Sequence, residues 1–313
     1  MSFCLIVGIG RGGVRAVNEM YKTPLRDVDY YVCDTDEIIL KKSHVKNKIL
    51  MRSQTENGKL CLTDETKTVF INRIQEGADS NNILFNGDYK AVLFIAGMGG
   101  NTGRDLLPDL IAYCHTRKYL SFCIVSSPFS FEGVVKNKLA IEGIAELRKC
   151  ADGIAVVDNN IVQETDADLN LGNAFRKSQQ FIANLSHKFI NILHNSFFVC
   201  IGIPEFCSNM RNAEISIIVS AYSDGENMEL SAFENAFKSP FFKPFQTLDF
   251  DKIICGFEFT ELHPLSIESF DNIHEIIDSK ISKTTEFSWT ADYSEEELNG
   301  KMRVTVIASI TKR

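Results

Sequence analysis

Ile95-Ala96-Gly97-Met98-Gly99-Gly100-Asn101-Thr102-Gly103-Arg104-Asp105 sets four glycines and a threonine between the apolar run Ala91-Val92-Leu93-Phe94-Ile95 and a helical pattern that begins at Leu106. The apolar run reads as a buried strand, so the order is strand, glycine turn, helix. Glycine lets the main chain turn sharply and come close to a ligand, and the N–H groups that open a helix carry partial positive charge suited to an anion. The stretch reads as a phosphate cradle, with a ligand-free glycine turn as the plain alternative. A second turn of the same kind favours the cradle. Cys4-Leu5-Ile6-Val7 leads into Gly8-Ile9-Gly10-Arg11-Gly12-Gly13 and then a helical stripe at Val14, Val17 and Tyr21.

The rest of the chain follows the same alternation. Tyr30-Tyr31-Val32-Cys33 reads as a strand ending in Asp34-Thr35-Asp36, Phe122-Cys123-Ile124-Val125 as another, and Ile154-Ala155-Val156-Val157 as a further one, with helical patterns between. This predicts an α/β fold, a Rossmann-like parallel sheet covered on both faces with its ligand loops at the strand C-terminal ends. Residues 43–86 are polar and weakly patterned, with one helix expected over 65–75. Pro108 is expected in or near the first turn of the helix after the second glycine loop. A long helix is predicted over 171–194, where Phe175, Ile182, Leu185, Phe189 and Ile192 recur at helical steps. Beyond it, Ile215, Ile217, Val219 and Ala221 alternate, as do Val304, Val306, Ala308 and Ile310, which predicts a half-covered sheet with helices over 228–238 and 266–281. The expected division is a nucleotide domain over 1–170, a central helix over 171–195 and a smaller α/β domain over 196–313.

Composition narrows the function. A net charge of −8 over 313 residues argues against a general nucleic-acid or anionic-membrane surface. No apolar run is long enough to span a bilayer, and Met1-Ser2-Phe3 leads straight into a strand, so a cytoplasmic location without direct membrane insertion is expected. The nine cysteines are scattered and form no C-x-x-C pair, which reads as reduced core residues. His187 and His194 lack an acidic or thiol partner at ligand spacing, so no metal site is expected there. Gly8, Gly10 and Gly13 also satisfy G-x-G-x-x-G, with an acid about 20 residues on, and this keeps a nicotinamide-dependent oxidoreductase as an alternative.

Taken in order, these motifs resemble the tubulin/FtsZ family, and its FtsZ branch in particular. Gly8 to Asn18 resembles G-x-G-G-G-G-x-N-A-V-N, Asp34-Thr35-Asp36 stands where the family has N-T-D, Ala96 to Gly103 resembles A-G-M-G-G-G-T-G, and Pro128 to Gly133 matches P-F-x-F-E-G. Asp224-Gly225-Glu226-Asn227, Ser239-Pro240 and Arg303-Val304-Thr305-Val306 match landmarks of the second domain. The resemblance implies a protein that binds GTP or GDP, with Mg²⁺ as a possible companion, and stacks head to tail into filaments with itself or with another FtsZ-family protein. It implies phosphate contacts from Gly10, Gly12, Gly13 and Asp34, and from Gly97, Met98, Gly99, Gly100, Asn101, Thr102 and Gly103. It also implies a ribose contact from Glu132 with Lys136 beside it, a base stacked on Phe175, and base-reading positions at Asp158, or Asn159 if the register slips by one, and at Gln179.

The chain departs from the family where hydrolysis is concerned. The segment expected to enter the neighbouring subunit's site as N-x-D-x-x-D reads Cys200-Ile201-Gly202-Ile203-Pro204-Glu205 and keeps Glu205 as its one carboxylate. Slow or absent GTP hydrolysis is expected, with an active GTPase using Glu205 in trans as the alternative. The loop that senses the γ-phosphate in the family is reduced to Asn57-Gly58-Lys59-Leu60-Cys61-Leu62-Thr63. Arg11, Arg15 and Arg104 sit at or near helix N-termini, where a cation is unfavourable unless an anion is present, and are expected to hold the phosphates directly. The sequence stops at Thr311-Lys312-Arg313, just after the last strand, so recruitment is expected to use the globular surface or co-assembly.

Overall fold

The computed structural model describes residues 2–56, 59–67, 89–165, 170–194, 199–225, 227–245, 249–260, 284–293, 298 and 300–312, with single positions at 267, 268, 271, 273 and 275. The chain divides into two compact units, Met1–Asn184 with Met210–Asn212, and Leu185–Asn209 with Ala213–Arg313.

The first unit is a parallel sheet. Its strands are β1 Cys4–Ile9, β2 Val28–Asp34, β3 Asn47–Leu50, β6 Ala91–Gly97, β7 Leu120–Ser127 and β8 Gly153–Asp158, paired in the order β8-β7-β6-β1-β2-β3; β4 Ser53–Glu56 and β5 Lys59–Leu62 form a separate antiparallel pair. Every residue of β1 is buried, as a strand covered on both faces must be. Helix α1, Gly10–Met20, lies against β1 and β6 with Val14 and Val17 covered, while Leu5, Val7 and Phe94 pack with Leu106, Leu107 and Ile111 of α3, Asn101–Thr116, and with Leu147 of α4, Val134–Cys150. Between β2 and β3 the short helix α2, Glu37–Lys41, is capped by the Asp36 carboxylate, which accepts from Ile38 N.

Two expectations shift here. Helix α3 begins at Asn101 rather than at Leu106, because the end of the glycine turn is itself the helix's first turn and carries no apolar stripe to announce it. Pro108 therefore lies inside the helix, where it removes the N–H that would reach the carbonyl of Arg104. The polar stretch read as weakly patterned, with one helix, also holds β3 and the β4–β5 pair, which leans on α3 through Leu60 N to Asp105 Oδ2 (3.1 Å) and Leu62 N to Asp109 Oδ2 (3.3 Å). Of the helix expected over 65–75, only 65–67 fall among the described residues, and Asn57 and Gly58 lie outside them.

After α5, Asn159–Thr165, the long helix α6 runs Ala174–His194, three residues later than its sequence pattern suggests. The second unit contains the sheet β11-β10-β12-β9: β9 Ala213–Ser223, β10 Lys252–Phe259, β11 Glu286–Tyr293 and β12 Met302–Thr311. The two alternating strands pair antiparallel, with Ile217 opposite Ala308 and Val219 opposite Val306, and this apolar face is packed by Ala232, Phe233 and Ala236 of α8, Met228–Phe237. The expected helix over 266–281 lies outside the described residues apart from five helical positions.

Candidate functional site

The two glycine turns meet. They leave adjacent strands at the same level, Gly8 opposite Ile95 and Ile9 opposite Ala96, and a Cβ on Gly12 would stand 3.4 Å from Gly97 Cα. A Cβ on Gly10, whose φ is +67°, would stand 3.4 Å from Thr102 Cβ, and one on Gly13 would fall 2.0 Å from Ile95 O. Only glycine lets the two turns pack main chain to main chain. Neither α1 nor α3 has a side-chain N-cap or an acid in its first turn, so no described side chain caps those helix ends. This fits a phosphate group.

Around the turns lies a cleft of about 540 Å³, within the range of small-molecule sites. Arg11 and Arg15 line it, and neither forms a hydrogen bond or salt bridge among the described residues. Thr35 and Thr102 face each other across it, hydroxyl to hydroxyl at 3.3 Å. Asp34 is 4% exposed; its Oδ1 accepts from Asp36 N at 3.0 Å, while its Oδ2 is buried with no partner. Burial pushes the Asp34 carboxyl above the usual carboxylate range, against the downward pull of the Asp36 and Thr35 N–H groups and of nearby Arg11. An orphaned carboxylate oxygen beside free arginines suits a ligand carrying both phosphates and a cation.

The other wall is built from side chains. The turn after β7 places Glu132, whose Oε1 accepts from Phe129 N (3.0 Å) and whose Oε2 pairs with Lys136 Nζ (3.3 Å). Phe175, 41% exposed, meets Phe129 and Phe131 edge to face at ring distances of 5.6 and 6.1 Å. One turn further along α6, the Ser178 hydroxyl donates to Asn159 Oδ1 at 2.5 Å.

Of the residues expected from the sequence, Gly10, Arg11, Gly12, Arg15, Asp34, Gly97, Gly99, Gly100, Thr102, Gly103, Glu132, Lys136, Phe175 and Gln179 line the cleft, and Gly13, Met98, Asn101, Arg104, Asp158 and Glu205 do not. Gly13 and Met98 are buried beneath it. Arg104 is turned into the protein: its Nε and Nη2 donate to the two Asp105 carboxylate oxygens at 2.5 and 2.9 Å, and its Cγ fills the place a Cβ on Gly143 would take. A direct phosphate contact from Arg104 does not arise in this geometry, because its guanidinium is already committed. Asp158 Oδ1 accepts from Asn160 N and Nδ2, both at 2.9 Å, and it is Asn159, the slipped register, that lines the cleft. Glu205 is exposed in the first turn of α7, Ile203–Met210, in the second unit. Sequence reading passed over Ser178 and Ile182, although they follow Phe175 at steps of three and four along one helix face, and Thr35 and Asp36 just past a strand end.

Two touching glycine turns, free arginines and an aromatic wall at strand C-terminal ends define the class of α/β proteins that hold phosphate-bearing ligands. Residues 4–166 match the model of the tubulin/FtsZ family, GTPase domain, and the chain belongs to that family. It is 28% identical over 306 residues to the cell division protein FtsZ of Porphyromonas gingivalis, covering 97% of this chain and 66% of that one. The mitochondrial division protein fszA of Dictyostelium discoideum is 26% identical, covering 97% of this chain and 57% of the relative. The chain thus spans less than two thirds of the length of these relatives. Among solved structures, an empty FtsZ dimer of M. jannaschii superposes with a TM-score of 0.83 at 18% identity, covering 99% of this chain and 88% of that one. The GTPγS-bound CetZ2 protofilament of Haloferax volcanii superposes with a TM-score of 0.76 at 13% identity, over 100% and 94%. The nicotinamide alternative is corrected by the family match: the G-x-G-x-x-G spacing here belongs to a GTPase domain whose second glycine turn completes the cradle. No described helix is long and apolar enough to cross a membrane.

Proposed function

We propose that the chain binds GTP or GDP in this cleft and stacks head to tail, with itself or with another FtsZ-family protein, as a filament subunit that hydrolyses GTP slowly or not at all. The observation that carries this reading is the contact of the two glycine turns in a cleft lined by Arg11 and Arg15, neither of which makes a hydrogen bond or salt bridge among the described residues. In it, main-chain N–H groups of both turns and the two guanidinium groups neutralise the phosphates, Glu132 faces the ribose, and Phe175 flanks the base. Mg²⁺ bound with the nucleotide would shield phosphate charge, and Asp34 and Asp36 are the carboxylates placed to hold it. A relative named for cell division and the GTPγS-bound CetZ2 protofilament support the filament half, since a heterologous contact that does not close gives an open polymer.

Slow hydrolysis rests on the 200–205 segment. Cys200 and Gly202 offer no side-chain oxygen to orient a water, and Glu205 is the segment's single carboxylate. Sedimentation with GTP, GDP and no nucleotide, with phosphate measured in the same tubes, tests both halves. The expected result is a nucleotide-dependent pellet with little phosphate released. Rapid release that disappears in Glu205→Ala would favour the active GTPase, and failure of the protein to bind GTP or GDP would end the reading.

A further inference from the structure

The order of strands gives the cleft a direction. Strands β1 and β6, which carry the glycine turns, are neighbours; β7, with Glu132 in the turn that follows it, comes next; β8, followed at once by Asn159, comes after it. At about 4.8 Å per strand, Asn159 lies roughly 10 Å across the sheet from the second glycine turn. A ribose held near Glu132 bridges such a gap, so the base of a nucleotide whose phosphates sit on the turns meets Asn159, Ser178, Gln179 and Phe175.

That wall has a definite hydrogen-bonding character. Asn159 is buried, and its Oδ1 is taken by the Ser178 hydroxyl at 2.5 Å, so its amide orientation is fixed and its N–H₂ is the group left for a ligand. It therefore offers a donor. Gln179 lines the cleft with no hydrogen bond among the described residues and offers one carbonyl oxygen and one N–H₂. Among the described residues no carboxylate belongs to this wall. Asp34 and Asp36 follow β2, roughly 19 Å across the sheet at the same strand spacing. Glu132 is occupied by Phe129 N and Lys136.

A fixed donor accepts a 6-oxo group and is opposed by a 6-amino group, which is itself a donor. Guanine differs from hypoxanthine only in its exocyclic 2-amino group. A carboxylate can accept from N1–H and the 2-amino group together, through charge-assisted bonds, and so tells the two bases apart. A neutral amide instead pairs its oxygen with N1–H and its N–H with O6, a pattern both bases share. We propose that the cleft selects 6-oxopurine nucleotides as a class, taking inosine and guanosine nucleotides alike and rejecting adenosine nucleotides, with Asn159 and Gln179 as the specificity-determining residues. This rests on the nucleotide reading above.

Calorimetric titration of the nucleotide-free chain with GDP, IDP and ADP tests it. IDP should bind within about threefold of GDP, and ADP at least tenfold more weakly, the ratio expected from one opposed hydrogen bond. Gln179→Asp should restore a GDP preference over IDP of about tenfold or more, from a charge-assisted bond to the 2-amino group. Ser178→Ala frees the Asn159 amide to rotate and should narrow the gap between ADP and GDP. Tighter binding of GDP than IDP by tenfold or more in the unaltered chain would overturn the inference while leaving the nucleotide reading standing, as would ADP binding as well as GDP, or a Gln179→Asp protein that binds GDP and IDP equally. Failure of all three nucleotides to bind would overturn the nucleotide reading itself.

Discussion

The cleft's two walls are made of different material. One is main chain: two glycine turns in contact, where a Cβ on Gly13 would lie 2.0 Å from Ile95 O and one on Gly103 would lie 2.8 Å from Gly97 O. The other is side chain: Phe175, Ser178 and Gln179 from α6 with Asn159 from the end of β8. The first wall accepts almost no added atom yet says little about which nucleotide is bound, because all nucleotides share their phosphates. The second presents hydrogen-bonding side chains, and on the reading proposed above it selects the base. Mutations in the two walls should accordingly fail in different ways, the first by loss of fold and the second by change of ligand.

Gly13→Ala should have the largest effect. The added methyl meets a main-chain oxygen of a central strand, and neither partner is a flexible side chain that can move aside. A loss of about 3 kcal/mol or more is expected, read as a collapse of the urea midpoint. Gly100→Ala is the control within the same wall: its φ is −119° and nothing lies within 4 Å of the added Cβ. It should cost no more than about 1 kcal/mol, the usual difference between glycine and alanine at a helix N-cap. Equal effects from the two would mean that the turns do not pack as described.

The three arginines near the turns divide the same way. Arg104→Ala leaves the Asp105 carboxylate, 2% exposed, with Leu60 N as its remaining donor, and should destabilise the first unit by about 2 kcal/mol or more. Because its guanidinium faces away from the cleft, nucleotide affinity in the folded variant should stay within about threefold. Arg11→Ala and Arg15→Ala should do the reverse: little change in the urea midpoint, and nucleotide binding weaker by roughly tenfold each, since hydrogen bonds to a charged group are worth about 1.5 kcal/mol or more. That loss should shrink as salt is raised, because both side chains are exposed.

The contrast between walls also explains what the sequence disclosed. A glycine that must be glycine is visible as a letter, so the main-chain wall and the strands entering it could be read directly. Side chains that converge from distant elements leave no such mark. Asn159 and Asp158 could not be told apart until the end of β8 was fixed, and the hydrogen bond from Ser178 exists only after α6 is laid beside β8. The same limit hid Arg104, whose position after a glycine turn suggests a ligand contact while its neighbour Asp105 takes the charge. In the second unit, β10 and β11 escaped notice because Glu258 and Asp292 interrupt their apolar runs; Glu258 is accommodated by an ion pair with the buried Arg303 on the adjacent strand, a partner 45 residues away in sequence.

Asp34 gives the smallest and most condition-dependent prediction, and it sharpens the distinction because it belongs to the phosphate side yet acts through a side chain. Burial raises its folded-state pKa above the unfolded value. A carboxyl shifted upward holds its proton more firmly when folded, so its contribution to stability is complete below the unfolded pKa and is lost as pH rises through the folded one. Where pH exceeds that folded-state pKa, the protein carries a buried carboxylate with one unpartnered oxygen. Asp34→Asn keeps an oxygen to accept from Asp36 N and carries no charge at any pH, so where Asp34 is ionised the variant should be the more stable by about 1 kcal/mol or more, because burying a neutral amide costs less than burying a charge. That gain should vanish below the ordinary carboxylate range, and thermal melts across pH would follow it. In the presence of nucleotide and Mg²⁺ the order should reverse, since the carboxylate then has the cation to face; a variant that gains stability equally with and without them would show that Asp34 takes no part in holding the ligand.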